Sequence, residues 1–251
     1  MHALGACGLG STPSSPNEKR CWIVPVQIWV PRKMKMKKKN FCTLYLIRHG
    51  ETEWNREKII MGHIDTPLTE TGLRQASELA AFLEPVRFSA VYSSDSPRAV
   101  RTTAIAAGIA SSSIRKMVEL RERDFSRFEG TSATLFREQN KESLLTKDAL
   151  PEPERWHFKI ADCVESDNSI ATRITSVLRH ISQSHFGETV LVGTHGGPIR
   201  FLLVKLGFAP YGSLPSGTFK NCGYVVLESD GEIFTIKEVN GVERHESSNS
   251  K

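Results

Sequence analysis

Tyr45-Leu46-Ile47-Arg48-His49-Gly50-Glu51-Thr52-Glu53-Trp54-Asn55 is the stretch on which the reading of this chain turns. The run from Leu44 to Ile47 is short, apolar and rich in β-formers, and it stops abruptly at a cation, an imidazole and a glycine. That is the pattern of a buried strand that delivers polar side chains at its carboxyl end. Open α/β sheets hold their ligands at that end. Gly50 lets the backbone turn tightly or come close to a ligand, while Arg48 and His49 set a fixed positive charge beside a nucleophile candidate. An oxyanion is the natural guest.

A second segment repeats the device. Thr189-Val190-Leu191-Val192-Gly193 is a fully apolar strand that ends in Thr194-His195-Gly196-Gly197-Pro198, with Pro198 suited to the first position of a helix from Ile199 to Leu206 and Gly207 to its stop. Between the two lies a strand over Phe88 to Tyr92, followed by cap candidates in Ser93-Ser94-Asp95-Ser96-Pro97 and a helix from Arg98 to about Ala107. If these strands are parallel, Arg98 stands at the same edge as Arg48 and His49. An amphipathic helix capped by Thr69 or Thr71 runs to about Leu83, and another, capped by Asn168 or Ser169, carries Ile170, Ile174, Val177, Leu178 and Ile181 on one face. Met117-Val118-Glu119-Leu120 is a further strand candidate, and Tyr224 to Glu228 and Glu232 to Val239 form a hairpin through Asp230-Gly231. Residues 125–167 show no regular period, so they read as an irregular insertion on the substrate side.

With 251 residues the chain can bury a sizeable core as one large α/β domain. Residues 1–40 are rich in Gly, Ser, Pro and basic residues and read as a disordered basic extension, 41–240 as the catalytic domain, and 241–251 as a flexible tail. The apolar run Cys21 to Val30 is too short to span a bilayer and makes a poor signal peptide, and Met34 or Met36 offers a start just ahead of the first strand. Much of the formal charge of +5 comes from Lys33 to Lys39, outside the periodic part, so neither a nucleic-acid nor a membrane partner is expected. Five cysteines without a CxxC pair read as reduced thiols of a cytoplasmic protein. A homodimer is left open.

Phosphoryl transfer needs cations on the equatorial oxygens, an in-line nucleophile and a proton for the leaving oxygen. Arg48 and Arg98 can clamp the oxygens, and backbone N–H groups after His195, Gly196 among them, add donors. His49 is the candidate nucleophile, kept neutral by the neighbouring guanidinium charge. His195, when protonated, would bind the same oxygens. A small phosphorylated molecule is then the expected substrate, with no cofactor and no metal.

Arg48-His49-Gly50-Glu51-Thr52-Glu53-Trp54-Asn55, Gly62-His63-Ile64-Asp65-Thr66-Pro67-Leu68-Thr69, Ser93-Ser94-Asp95 with Arg98-Ala99, Leu120-Arg121-Glu122-Arg123 with Phe128-Glu129-Gly130, and Thr194-His195-Gly196 together resemble the histidine phosphatase superfamily, in its phosphoglycerate-mutase-like branch. The match covers about residues 42 to 240. The resemblance implies a three-layer α/β/α sandwich with a mostly parallel central sheet and no metal. It also implies His49 as nucleophile, Arg48, Arg98 and His195 on the phosphoryl group, Asn55 near it, and Glu122 as proton donor. Ser126 stands where the family commonly has glycine, and Asp124 and Glu129 are rival acids.

His63 holds a motif position without assigned chemistry, His157, His180 and His185 read as surface or helix-face residues, and Arg101 and Arg200 read as solvent-exposed, with the pocket rim as their alternative place. Trp156 and Phe158 are either core or an apolar pocket lining. The expected activity is a phosphomonoesterase acting through a phosphohistidine on His49. Its rivals are a cofactor-dependent phosphoglycerate mutase and a catalytically weak protein that binds a phosphorylated ligand.

Overall fold

The computed structural model describes residues 41–242. Alternation sorts the side chains of β1 (Cys42–Arg48), so that Leu44 and Leu46 enter one apolar layer while Ile47 and Tyr45 enter the other. β4 (Thr189–Thr194) divides the same way, with Val190 and Val192 on one side and Leu191 opposite. Two-sided burial is why these strands read as continuous apolar runs.

Among the described residues the sheet has six strands, in the order β3 (Arg115–Met117), β2 (Ala90–Ser94), β4, β1, β5 (Phe219–Ser229), β6 (Phe234–Val242). β1, β4, β2 and the short β3 are parallel, and β5 and β6 close one side as an antiparallel pair. On one face α2 (Glu70–Leu83) and α3 (Pro97–Ala107) pack through Leu79, Leu83 and Ala106 against Ile47 and Leu191. On the other, α7 (Asp167–Ser184) and α8 (Gly196–Lys205) place Ile174, Leu178, Ile181, Ile199 and Leu202, all fully buried, over Leu44, Leu46, Val190 and Val192. The expected three-layer arrangement is present. Burying one such side chain contributes about 1.5–3 kcal/mol.

Thr69 caps α2 by accepting from Gly72 N–H, and Pro97 opens α3 at its first position, as the sequence implied. Elsewhere the boundaries move. Ser166, not Asn168 or Ser169, caps α7 by accepting from Ser169 N–H, so Asp167 falls inside the first turn. The third strand stops at Met117, and Val118–Leu120 curls into a 3-10 turn. Gly241 and Val242, assigned to a loose tail, still belong to β6.

The largest departure is the segment 125–167. It holds three short helices, α4 (Ala133–Gln139), α5 (Lys141–Ala149) and α6 (Glu152–His157), where no period was visible. α5 and α6 bury no residue, so they lack the apolar stripe by which a helix is recognised. Among the described residues no helix is long and apolar enough to cross a membrane. The extension expected over 1–40 and the tail beyond 242 lie outside the described residues.

Candidate active site

Parallel pairing sets the site. Arg48 lies opposite Thr194 and Ser93 opposite Gly193, so three strands end at one level and His49, His195 and Ser94 emerge side by side. Two contacts hold the edge flat: His49 N–H donates to the Thr194 carbonyl, and Gly50 N–H donates to Thr102 Oγ1 on α3. Gly50 must be glycine because a Cβ there would stand 2.5 Å from the Gly72 carbonyl oxygen, where the loop after β1 presses on the start of α2.

His49 is 3% exposed, and its Nδ1 lies 2.8 Å from the Gly50 carbonyl oxygen. A carbonyl only accepts, so Nδ1 carries the proton and Nε2 keeps a free lone pair. Burial first, then Arg98 and Arg48, hold its pKa well below the usual 6.5, with the Gly50 hydrogen bond opposing. The neutral imidazole expected from the sequence is present, but desolvation outweighs the guanidinium charge invoked for it.

His195 was expected to bind the oxygens when protonated, and here it holds a different place. Arg98 Nη2 donates to its Nδ1 at 3.3 Å, which leaves Nε2–H to donate to Ser94 Oγ at 2.9 Å. Burial and then Arg98 depress its pKa well below 6.5. In this state it is a neutral link between Arg98 and Ser94 rather than an imidazolium. Its ring lies 5.1 Å from that of His49, centroid to centroid.

Arg98 is buried beneath the histidines. Nη1 donates to Asp65 Oδ1 at 2.8 Å and to the Ile64 carbonyl at 3.0 Å, and Nη2 donates to the Gly62 carbonyl at 2.7 Å as well as to His195. Arg48 Nη1 donates to the Phe219 carbonyl. Each guanidinium keeps one buried Nε without a partner, and the third such buried side-chain atom among the described residues, Arg179 Nε, sits 3.2 Å from Glu232 in an ion pair. Buried donors are rarely left orphaned unless a ligand satisfies them.

Above them opens a cavity of about 650 Å³, walled by Arg48, His49, Asn55, Glu122 and Gly196. Arg98 and His195 form the layer beneath rather than its wall. Asn55 does double duty: its carbonyl oxygen accepts from Thr52 N–H to complete a capping box on α1 (Glu53–Glu57), and from Asn221 Nδ2. Its Nδ2 is the end left for a ligand. Glu122 reaches the cavity with Oε1 accepting from Arg123 N–H at 2.8 Å and Oε2 from Gly197 N–H at 3.0 Å.

The rival acids are occupied elsewhere. Glu129 accepts from the backbone N–H groups of His63, Ile64 and Phe125, which ties the 62–64 loop to the 122–129 segment. Asp124 accepts from Ser126 N–H and faces away from the cavity. Ser126 adopts φ 51°, the left-handed conformation that glycine commonly supplies.

The remaining expectations divide. Arg200 lines the cavity instead of pointing to solvent, whereas Arg101 is exposed. Trp156 packs on Phe201 and Tyr211, and the apolar lining comes instead from Trp54, Ile59, Ile60 and Phe125. His185 is buried against the Tyr92 hydroxyl and Glu188, while His157 and His180 are exposed and His63 Nε2 meets the Glu122 carbonyl at 3.2 Å.

Sequence reasoning missed Gly197 and Asn221. A Cβ at Gly197 would lie 2.1 Å from Glu122 Oε1, so the second glycine of the Gly196-Gly197 pair makes room for the carboxylate, and that pair was the signal. Asn221 Nδ2 donates to the His49 carbonyl at 3.0 Å from an irregular stretch of β5 next to Cys222 at φ 55°. A bulge beside a site re-aims side chains in this way, and nothing local in the sequence announces it.

The model of the histidine phosphatase superfamily (branch 1) matches residues 44–241. Phosphoglycerate mutase-like protein 4 of Arabidopsis thaliana is 34% identical over 165 residues, 65% of this chain and 70% of that protein. The metal-independent phosphoserine phosphatase of Arabidopsis thaliana is 33% identical over 173 residues, 65% and 68% of the two chains. Among solved structures, Bacillus stearothermophilus YhfR superposes with a TM-score of 0.68 at 31% identity, covering 81% of this chain and 98% of that one. Phosphoserine phosphatase from Entamoeba histolytica, in complex with 3-phosphoglyceric acid, gives 0.64 at 25%, covering 81% and 98%.

Proposed function

The chain belongs to the histidine phosphatase superfamily, and from that premise we propose that it hydrolyses small phosphomonoesters through a phosphohistidine on His49. The observation that carries this reading is a buried imidazole in the cavity wall whose Nε2 lone pair is free, beside Arg48, whose buried Nε has no partner. Together they are a receptor for a phosphoryl group with a nucleophile already in place.

In the first half-reaction His49 Nε2 attacks phosphorus. The N–P bond forms as the bond to the ester oxygen breaks, and Glu122, as the carboxylic acid, gives that oxygen its proton. The Arg48 guanidinium and the N–H donors opening α8 take the charge on the equatorial oxygens, and Arg98 adds its positive charge from the layer beneath. In the second, water attacks phosphorus, the electron pair of the N–P bond returns to Nε2, and the Glu122 carboxylate takes the water's proton, leaving inorganic phosphate. The guanidinium groups do what a divalent ion would do at such a centre, so turnover should survive prolonged chelation.

The test is acid-labile phosphate on His49. Rapid quench after mixing with labelled ester should trap it, and His49→Ala should remove both label and turnover while the protein stays folded. Label on another residue, or none during the first turnover, refutes the covalent route. A mutase of phosphoglycerates is the second reading, favoured by the relatives that carry that name. Isomerisation of 3-phosphoglycerate that outruns phosphate release by orders of magnitude would decide for it.

A further inference from the structure

Glu122 stands on main chain that has no ladder of its own. Residues 121–125 belong to neither strand nor helix, and the 3-10 turn before them ends at Leu120. A carboxyl group that must meet one oxygen of a substrate needs its backbone fixed, and the carbonyls of such a stretch must find donors outside it. Arg173, on α7 between the fully buried Ile170 and Ile174, supplies them. Its Nη1 donates to the carbonyls of Glu119 and Arg121, at 2.8 Å each, and its Nη2 to that of Glu122 at 3.4 Å. The rest of the guanidinium is held by the Glu165 carboxylate, through Nε at 3.0 Å and Nη2 at 2.8 Å. All five N–H groups are thus committed, three of them to the main chain at and before the acid.

Glu165 completes the frame. Its N–H donates to the Asp124 carbonyl at 3.0 Å and its Oε2 accepts from Asp124 N–H at 3.4 Å, so the pair holds the segment on both sides of Glu122. The carbonyl between the first two anchors, that of Leu120, accepts from Thr194 Oγ1 at 2.8 Å, which ties the same turn to the strand that delivers His195. Arg173 and Glu165 do not line the phosphoryl cavity. They line a second one, of about 460 Å³, that shares no wall residue with the first. Resting on the proposed role of Glu122 as proton donor, we infer that Arg173 is a positioning residue which, clamped by Glu165, sets where the Glu122 carboxyl stands relative to the leaving oxygen. A planar, five-donor fork holds three carbonyls and a carboxylate in fixed relation, which an ammonium on a flexible stem does not.

The experiment measures kcat/KM of the full-length protein on phenyl phosphate and p-nitrophenyl phosphate, which share a ring and differ in how much their leaving oxygen needs a proton. This ratio reports formation of the phosphoenzyme, the step in which that proton is given. Water from the second cavity can take up the released carbonyls, so Arg173→Gln should fold with the acid out of place. It should lose roughly 10- to 100-fold on phenyl phosphate and far less on p-nitrophenyl phosphate. Arg173→Lys should restore part of the loss, and it carries the same test if Arg173→Gln does not fold. In Glu122→Gln the same change at Arg173 should cost nothing further, because a residue that acts through the acid has nothing left to place. Equal losses on both esters in whichever Arg173 variant folds, or losses that add to that of Glu122→Gln, would make Arg173 a residue of general stability and overturn the inference. The parent reading is scored separately. No hydrolysis of either ester by the unmutated protein, or a loss in Glu122→Gln that ignores the leaving group, refutes that reading and the inference with it. A leaving-group contrast in Glu122→Gln that the Arg173 variant lacks leaves the acid standing and overturns the positioning alone.

Discussion

Arg98, on the floor of the cavity, commits four of its five N–H groups to Gly62, Ile64, Asp65 and His195, whereas Lys58 and Arg137 on the rim are exposed and make no ion pair among the described residues. The floor is therefore preorganised. Its charges are desolvated and locked by backbone carbonyls, so in the proposed reaction they would cost no reorganisation when charge develops on the phosphoryl oxygens. The rim is solvated, adjustable and weaker per charge. The contrast assigns chemistry to the strand ends and choice of substrate to the helices and loops above them, as is general for scaffolds that carry their sites on connecting segments.

The sharpest way to break this division is at Glu122, which bridges the two. Glu122→Gln should slow esters of poor leaving groups by about 10²–10⁴-fold and p-nitrophenyl phosphate far less, because a phenolate departs with little protonation. Equal losses on both substrates would make Glu122 a rim residue that only binds. Gly197→Ala should act next, since its methyl group would take the space of Glu122 Oε1 and push the carboxyl aside. A displacement of this size costs roughly 10²-fold, and the loss should follow the same leaving-group pattern as Glu122→Gln. A loss independent of leaving group would place the damage at the phosphoryl end of α8.

The smallest effect tests the floor's desolvation. His49 and His195 both titrate well below 6.5 in the folded protein, so the unfolded chain binds more protons as pH falls and stability rises with pH. Their contribution is present above about pH 6.5 and is lost as pH drops through and below that value. The melting temperature should thus fall between about pH 7.5 and pH 5.5, and less steeply in His49→Gln and His195→Gln. Parallel pH curves for all three proteins would mean that water reaches the floor.

Strand ends were readable because a buried parallel strand must change abruptly from apolar to polar where it leaves the core, as at Ile47-Arg48 and Gly193-Thr194-His195. The helices α2 and α7 were readable for a similar reason, since each buries a continuous stripe, and α3 was readable from the proline at its first position. α5 and α6 bury nothing, so no period marks them. Glu122 could be named by motif position, but its rivals Asp124 and Glu129 carry the same functional group a few residues away. Only the fold shows Glu129 spent on three backbone N–H groups and Asp124 on the turn at Ser126.

The sequence by itself therefore determined the sheet's apolar strands and the four side chains Arg48, His49, Arg98 and His195 at their carboxyl edge, and it pointed to an oxyanion as the guest they suit. Those are consequences of local pattern and of charge beside a nucleophile. Tertiary structure alone decided the tautomer of His49, the neutral state of His195, the space that Gly197 leaves for Glu122 and the turn of Arg200 into the cavity. Each depends on a partner distant in sequence or on exclusion of water, and neither quantity is written in the neighbouring residues.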